Sequence, residues 1–523
     1  MSERDPYYLT TAIFYPSERP ALHSLFEAIG ADVIARYHRL LGRETRFLTG
    51  FDEHSANVER DAREKGIDPH ELIDPWAATW KATFDRFGIT ADRFIRTTDP
   101  DHAVAATEMV RRAQANGDVY QGTYSGWFCT GCNEFKTDQQ LVNGRCPDHP
   151  TLDPQWLEES NYFFRLSAYQ ERLEALYRDD PSFCEPEHFR NEVLGWLREG
   201  LRDFSISRAG ATWGIPFPGD EGHRIYVWFD ALTNYLTGAG FPDDQAEMDK
   251  WWPADLHVIG KNITRFHCLY WPAMLMSAGL PLPKQVFAHG FMLDVSGQRM
   301  SKTTGNTRDP DEAADTFGVD GVRYVVLREV PFERDSDVTL DGFVRRYNAD
   351  LANDLGNLVN RTVSMSNRYL EGQLPSVTDS TQPADLGIRD AAGDVVERYH
   401  AAMREHHLAD ALAAMMELAG ATNGYAEGQA PWSLNKAGET ARLGQVLSVM
   451  GEACRILGHL LAPVAPQGAR RIHEQLGISV PYDERGAGGP GLRELLTWGS
   501  GPAEWHTGAA APIFPRIDLE AAP

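Results

Sequence analysis

Two short apolar runs rich in strand-forming residues, Tyr7 to Tyr15 and Thr45 to Gly50, bracket a stretch from about Leu22 to Leu41 whose apolar residues fall at helical spacing. Strand, helix, strand is the repeating unit of a parallel sheet, because parallel neighbours need a long crossover to bring the chain back. No other feature constrains the fold as strongly. In open parallel sheets, active groups gather beyond the carboxyl ends of the strands, which predicts that Tyr15, Asp52 and His54 share one crevice. The sheet is predicted to resume at Arg224 to Trp228, and again at Leu256 to Gly260 and Gln285 to His289, with an insertion spanning 116–223 between the halves.

Beyond residue 346 the periodicity is helical: Leu351, Leu355, Leu358 and Val359 share one face, as do Leu412, Met415, Met416 and Ala419. The last stretch, 484–523, is rich in Gly, Ala and Pro and is predicted to wrap the surface with little regular structure. A chain of 523 residues can bury several large cores, so no metal or disulfide is needed merely to reach stability. The expected division is 1–115 and 224–298 as two halves of an α/β domain, 116–223 as the insertion, 299–345 as a joining region, 346–483 as a helical bundle, and 484–523 as a tail.

Composition sets further limits. Six cysteines are too few for a disulfide scaffold, and three of them (Cys129, Cys132, Cys146) crowd into one short stretch, so a reducing compartment fits best. The first residues lack the basic and apolar regions of a signal peptide, and no apolar run approaches the roughly 18 residues of a membrane span. A cytoplasmic protein with no membrane partner is expected. A net charge of −25 argues against nonspecific polyanion binding, so an RNA partner would have to meet local basic patches such as Arg345-Arg346 or Arg470-Arg471.

Two motifs carry chemistry. Cys129-x-x-Cys132 followed by Cys146-x-x-His149 supplies three thiolates and an imidazole in two tight pairs, the donor set of a tetrahedral Zn2+ site. With four protein ligands no position is left for a substrate, so the metal's expected role is structural. The run Arg299-Met300-Ser301-Lys302-Thr303 places two cations and a hydroxyl after the apolar stretch that ends near Gly297, as a loop that holds a triphosphate requires.

With Gly318 to Tyr324 and Arg328 to Phe332 downstream, that loop resembles the Lys-Met-Ser-Lys-Ser region of class I methionyl-tRNA synthetases, and the likeness spans about residues 7–480 and the tail segment Ile513 to Ile517. The resemblance implies a Rossmann-type parallel α/β sheet, a zinc-knuckle connective insertion and a C-terminal α-helical anticodon-binding bundle in a monomer. It implies ATP and Mg2+ as cofactors and a ligase that adenylates methionine or a similar amino acid and passes the acyl group to tRNA. Lys302, Arg299 and Ser301 match the phosphate-handling loop. Ile13, Tyr15, Trp228, Ala231, Leu232, Tyr235, Phe266, His267 and Trp271 match positions lining the methionine pocket, and Asp52 matches the carboxylate that takes the amine. A polarizable thioether suits aromatic faces, and a buried carboxylate suits an ammonium. Asn357, Arg361 and Trp432 match residues that hydrogen-bond or stack on unstacked anticodon bases.

One signature departs from the family. A His-Ile-Gly-His-type motif opens the first helix in these enzymes, its imidazoles donating to ATP phosphates. Counting from Tyr7-Tyr8 to Ala31-Asp32 places Ala21-Leu22-His23-Ser24 there, so both histidines are replaced and His23, the expected phosphate contact, stands at the glycine. Smaller departures are Ser55 for Gly, Arg299 for the first loop lysine, Asn262 for Asp and Phe291 for Trp. Three readings follow: a working methionine-tRNA ligase with an atypical helix start; a paralogue of specialised metabolism that delivers the activated amino acid to a small nucleophile, a hydroxylamine or amine; or a noncatalytic binder of tRNA or amino acid.

Overall fold

The structure, a computed structural model, describes residues 5–15, 19–130, 134–136, 138–147, 149–294, 297, 309–377, 380–502 and 504–518. Strand β1 (Tyr7–Thr11), helix α1 (Leu22–Leu40) and strand β2 (Thr45–Phe51) form the expected unit. Strand β3 (Arg93–Arg96) and helix α2 (Pro100–Ala115) follow. Strand β4 (Cys184–Glu185) comes from inside the insertion, then come helix α3 (Val227–Leu232), strand β5 (Leu256–Gly260) and strand β6 (Val286–His289). The central sheet runs β3-β2-β1-β5-β6-β4, and every pairing in it is parallel.

The core lies on both faces of this sheet because side chains alternate along a strand. Tyr7 and Leu9 join one apolar cluster with α1 and the helical bundle, while Tyr8 joins the other, with α2 and the residues around Trp271. Residues 224–228 depart from expectation. Arg224 and Ile225 pair antiparallel with Arg208 and Ser207 in a separate small sheet, and Val227 already begins α3. The reason is burial: Asp220–Ile225 is half exposed, whereas a strand of the parallel sheet is covered on both faces, as all five residues of β5 are. The rest of the insertion holds an antiparallel sheet built on the long Val119–Cys129 and Gln155–Phe164 pair, and two helices, Gln170–Asp179 and Glu187–Glu199.

Helix α4 (Pro310–Glu329) leads into the bundle: α5 (Asn357–Tyr369), α6 (Pro383–Arg404), α7 (Leu408–Gln429), α8 (Pro431–Ala437), α9 (Thr440–Leu461) and α10 (Pro466–Leu476). Arg323 of α4 ties the layers together. Its guanidinium is buried and donates to Asp32 of α1 at 2.7 Å, to the Phe87 carbonyl at 3.1 Å, and to the Val464 carbonyl at 2.7 Å. Asp32 also takes Arg36 at 2.7 Å, and these cations hold its carboxyl below the ordinary range against the opposing effect of burial. The tail packs more than its composition predicts: Trp505, Ile513 and Phe514 are buried, and Glu504–His506 pairs with Gln373–Pro375. Among the described residues no helix is long and apolar enough to cross a membrane.

Candidate active site

The order of the sheet fixes where the site lies. Strand numbering reverses between β1 and β5, and such a switch point opens a crevice at the carboxyl ends of the two strands. A cavity of about 320 Å³ occupies it. Ile13, Tyr15, Asp52, Trp228, Ala231, Leu232, Tyr235 and His267 line one end, and His23, Ser24, Glu27, Asn262, His289 and Phe291 line the other. Glycines let the walls close: a Cβ on Gly260 would stand 2.9 Å from Asn262 Oδ1, and one on Gly290 would stand 2.0 Å from the Arg334 carbonyl carbon.

At the first end, Trp228 lies flat on Phe266, ring centroids 3.7 Å apart. Phe266 and Trp271, expected in the lining, stand behind it: Phe266 backs Trp228, and Trp271 meets Tyr235 edge-on at 5.8 Å. Tyr235 donates its hydroxyl proton to His267 Nε2 at 2.6 Å, and His267 Nδ1 donates to the Ile263 carbonyl at 3.0 Å. That pattern fixes one neutral tautomer, and burial pushes the imidazole down to about 4. Asp52 Oδ1 and Asn234 Oδ1, both acceptors, and Trp228 Nε1, a donor, are buried pocket atoms without a hydrogen-bond partner. Burial first, then the neighbouring carboxylates of Asp230 and Glu53, push the Asp52 carboxyl well above its usual range. A small zwitterion with an apolar side chain suits this donor and acceptor set.

The second end is built differently. Helix α1 starts at the pocket with no acidic residue in its first turn and no side-chain cap, so its amide end is electropositive. Ala21 is buried and offers no donor, while His23, Ser24 and Arg19 line the opening. Deeper in, Glu27 accepts from the Ala12 amide at 2.9 Å and faces His289 Nε2 at 2.9 Å, while His289 Nδ1 donates to the Gly290 carbonyl at 2.7 Å. Lys261, next to the pocket, is held by Asp335 at 2.6 Å over the Phe291 ring. Arg299, Ser301 and Lys302 lie outside the described residues.

Two other predicted clusters lie elsewhere. The donor atoms of Cys129, Cys146 and His149 lie within 4.8 Å of one another, with Cys129 Sγ 3.9 Å from His149 Nδ1. Two thiols and an imidazole at that spacing fit a tetrahedral zinc ion; Cys132 lies outside the described residues. In the bundle, Asn357 and Arg361 share one face of α5, Arg361 pairs with Glu427 at 2.7 Å, and its guanidinium stands 5.9 Å from the Trp432 ring at the start of α8. The three RNA-reading candidates therefore gather at one end of the bundle.

Sequence reasoning missed Glu27, Asn234 and the buried carboxylate Asp230. A charged residue within the otherwise apolar Leu25 to Ile29 stretch was the available signal for Glu27, and the Asp in Val227-Trp228-Phe229-Asp230 was the signal for Asp230.

The family model for tRNA synthetases class I (M) matches residues 7–153 and 150–363. The methionine--tRNA ligase of Thermosynechococcus vestitus is 42% identical over 522 residues, covering 98% of each chain. That of Brucella suis is 42% identical over 485 residues, covering 92% of this chain and 93% of its own. The structure of Mycobacterium tuberculosis methionyl-tRNA synthetase in complex with methionyl-adenylate superposes with a TM-score of 0.91 at 40% identity, covering 98% of this chain and 100% of that one.

Proposed function

This chain belongs to the class I methionyl-tRNA synthetase family, and on that premise we propose that it adenylates methionine with ATP and transfers the methionyl group to tRNA. The observation that carries the reading is the buried, unpartnered Asp52 carboxylate oxygen among Trp228, Tyr235 and Leu232 at one end of a cavity that begins α1 at the other. Asp52 takes the substrate ammonium. Trp228, Tyr15, Ile13, Ala231 and Leu232 enclose the thioether, and His267, held neutral, keeps Tyr235 in place. The substrate carboxylate then faces the amide end of α1, where the α-phosphorus of ATP would be attacked and pyrophosphate would leave.

Positioning and charge neutralisation dominate such a transfer. Mg2+ supplies part of that neutralisation when bound, and the protein's share falls to the loop cations Arg299 and Lys302, to Ser301 and to His23. Cys129, Cys132, Cys146 and His149 hold a structural zinc in the insertion, and Asn357, Arg361 and Trp432 read the RNA.

Amino-acid-dependent exchange of pyrophosphate into ATP, run over a panel of amino acids with and without tRNA, tests it. Methionine-dependent exchange with tRNA charging is the expected result. Exchange without charging would redirect the acyl group to a small nucleophile, and no exchange with any amino acid would overturn adenylation itself.

A further inference from the structure

Behind the amino-acid end of the cavity lies a buried chain of ionisable groups. Asp230 of α3 is wholly buried, and its two carboxylate oxygens each meet an imidazole at 2.6 Å: Oδ2 meets His54 Nδ1, and Oδ1 meets His102 Nε2. An ionised carboxylate only accepts, so both of these nitrogens donate. His102 Nδ1 lies 3.1 Å from Thr237 Oγ1, whose own proton goes to the Thr233 carbonyl at 3.3 Å. The threonine oxygen is then open to the Nδ1 side of the ring, and His102 is held between it and Asp230. Asp230 and His102 form a buried, charge-assisted hydrogen-bonded pair, with the imidazole N–H directed at the carboxylate. His102 belongs to α2, lies 0% exposed and lines no part of the cavity.

Asp52 stands two residues before His54, whose ring meets Asp230 at 2.6 Å, and the Asp230 charge acts on it. We infer that His102 is a positioning residue for amino-acid binding: acting through Asp230, it weakens the negative field at Asp52 so that this carboxylate meets the substrate ammonium as an anion. The inference rests on the reading of Asp52 as the amine-binding group. The other charges that face Asp52 are few. Glu53 follows it on the same segment and is neutralised by Arg96 of β3 at 2.7 Å. His54 already serves Asp230, and His267 on the far wall is held neutral. Arg19, His23, Glu27 and His289 line the rest of the cavity, the last two compensating each other at 2.9 Å. Without His102, only His54 would offset the buried Asp230 charge that acts on Asp52. Like charges in a low dielectric cannot both ionise easily, so Asp52 would take up a proton at higher pH and lose its hold on the ammonium.

The sign differs between two substitutions, which makes the idea testable. Methionine binding to the full chain, followed by calorimetry from about pH 5 to about pH 9, should weaken toward acid as Asp52 protonates. In His102→Leu the midpoint of that loss should move up by about one unit, a tenfold weaker affinity on the acid side. His102→Gln, which keeps a donor to Asp230, should move it up by less. In Asp230→Asn the midpoint should move down. Thr237→Val, a milder change that leaves every carboxylate in place, should shift it upward slightly and carries the test with Asp230→Asn if His102→Leu does not fold. A purely structural bridge would weaken binding equally at all pH values in each variant, and that result, or shifts of the same sign for His102→Leu and Asp230→Asn, would overturn the inference while leaving the pocket's assignment intact. An unaltered chain that binds no methionine at any pH would overturn the assignment and the inference together.

Discussion

The two ends of the cavity have different histories written in their residues. At the end proposed for the amino acid, a carboxylate, stacked aromatics and a tautomer-locked histidine line the cavity, and Asp52 Oδ1, Asn234 Oδ1 and Trp228 Nε1 are its unpartnered polar atoms. At the nucleotide end, Ala21 and Ser24 stand where the family's phosphate-binding imidazoles would be, and the remaining charge is either paired, as in Glu27 with His289, or lies at the opening, as in Arg19 and His23. On the proposed reading, selectivity for the amino acid and power to activate it would be separable in this molecule. An aromatic pocket keeps its shape because its members pack on one another, whereas a phosphate site depends on single donors aimed at developing charge.

The largest effect is expected at the intact end. Asp52→Asn keeps the shape and removes the charge, and truncating one side of a buried charged pair costs about 2–5 kcal/mol. KM for methionine in pyrophosphate exchange should rise accordingly, with KM for ATP little changed. Equal rises in both constants would mean that the two ends do not act separately. Next in size is a change outside the cavity: Trp432→Ala should weaken tRNA binding by about 1–3 kcal/mol, the usual worth of one stacked base, and leave exchange without tRNA untouched. A fall in that exchange would show that the bundle reaches the pocket, for which Arg323, bridging α1 and the segment before α10, offers the route.

The third prediction addresses the altered end directly. Removing one oriented donor typically costs about 2.7–4 kcal/mol of transition-state stabilisation. Restoring the family pattern with Ala21→His, His23→Gly and Ser24→His should therefore raise kcat for exchange by at least about tenfold, roughly 1.4 kcal/mol, without moving KM for methionine. A decrease instead would show that His23 and Arg19 already form a working phosphate site of their own, and the contrast between the ends would collapse.

How much of this was legible beforehand depended on the kind of signal. The βαβ unit around α1 and strands β5 and β6 could be read because strands covered on both faces leave continuous apolar runs. Residues 224–228 read as one more such strand; their partners, Arg208 and Ser207, sit in a hairpin-like sheet that local pattern does not reveal. Strand β4 is two residues long, too short to carry any periodicity. Most of the pocket was found because its aromatics match a family template jointly. Phe266 and Trp271 were drawn into the lining by the same template, although they support it from behind. Asp230 and His102 escaped because their pairing joins α3 to α2 across 128 positions of sequence.

The smallest effect probes whether the intact end works by shape or by charge. Tyr235→Phe keeps the ring against Trp271 and deletes the hydroxyl that His267 Nε2 accepts from. A net hydrogen bond is worth about 1 kcal/mol, so KM for methionine should rise about fivefold while kcat holds. His267 itself stays neutral in this variant over the working pH range, because burial depresses it to about 4 in the intact protein and no anion replaces the lost hydroxyl. The pH midpoint of methionine binding should therefore stay where the intact protein has it, in contrast to the shifts expected when the Asp230 pair is altered. A midpoint that moved in Tyr235→Phe would place His267 among the charges that govern Asp52, and the amino-acid end would no longer divide into a neutral wall and a single ionised group.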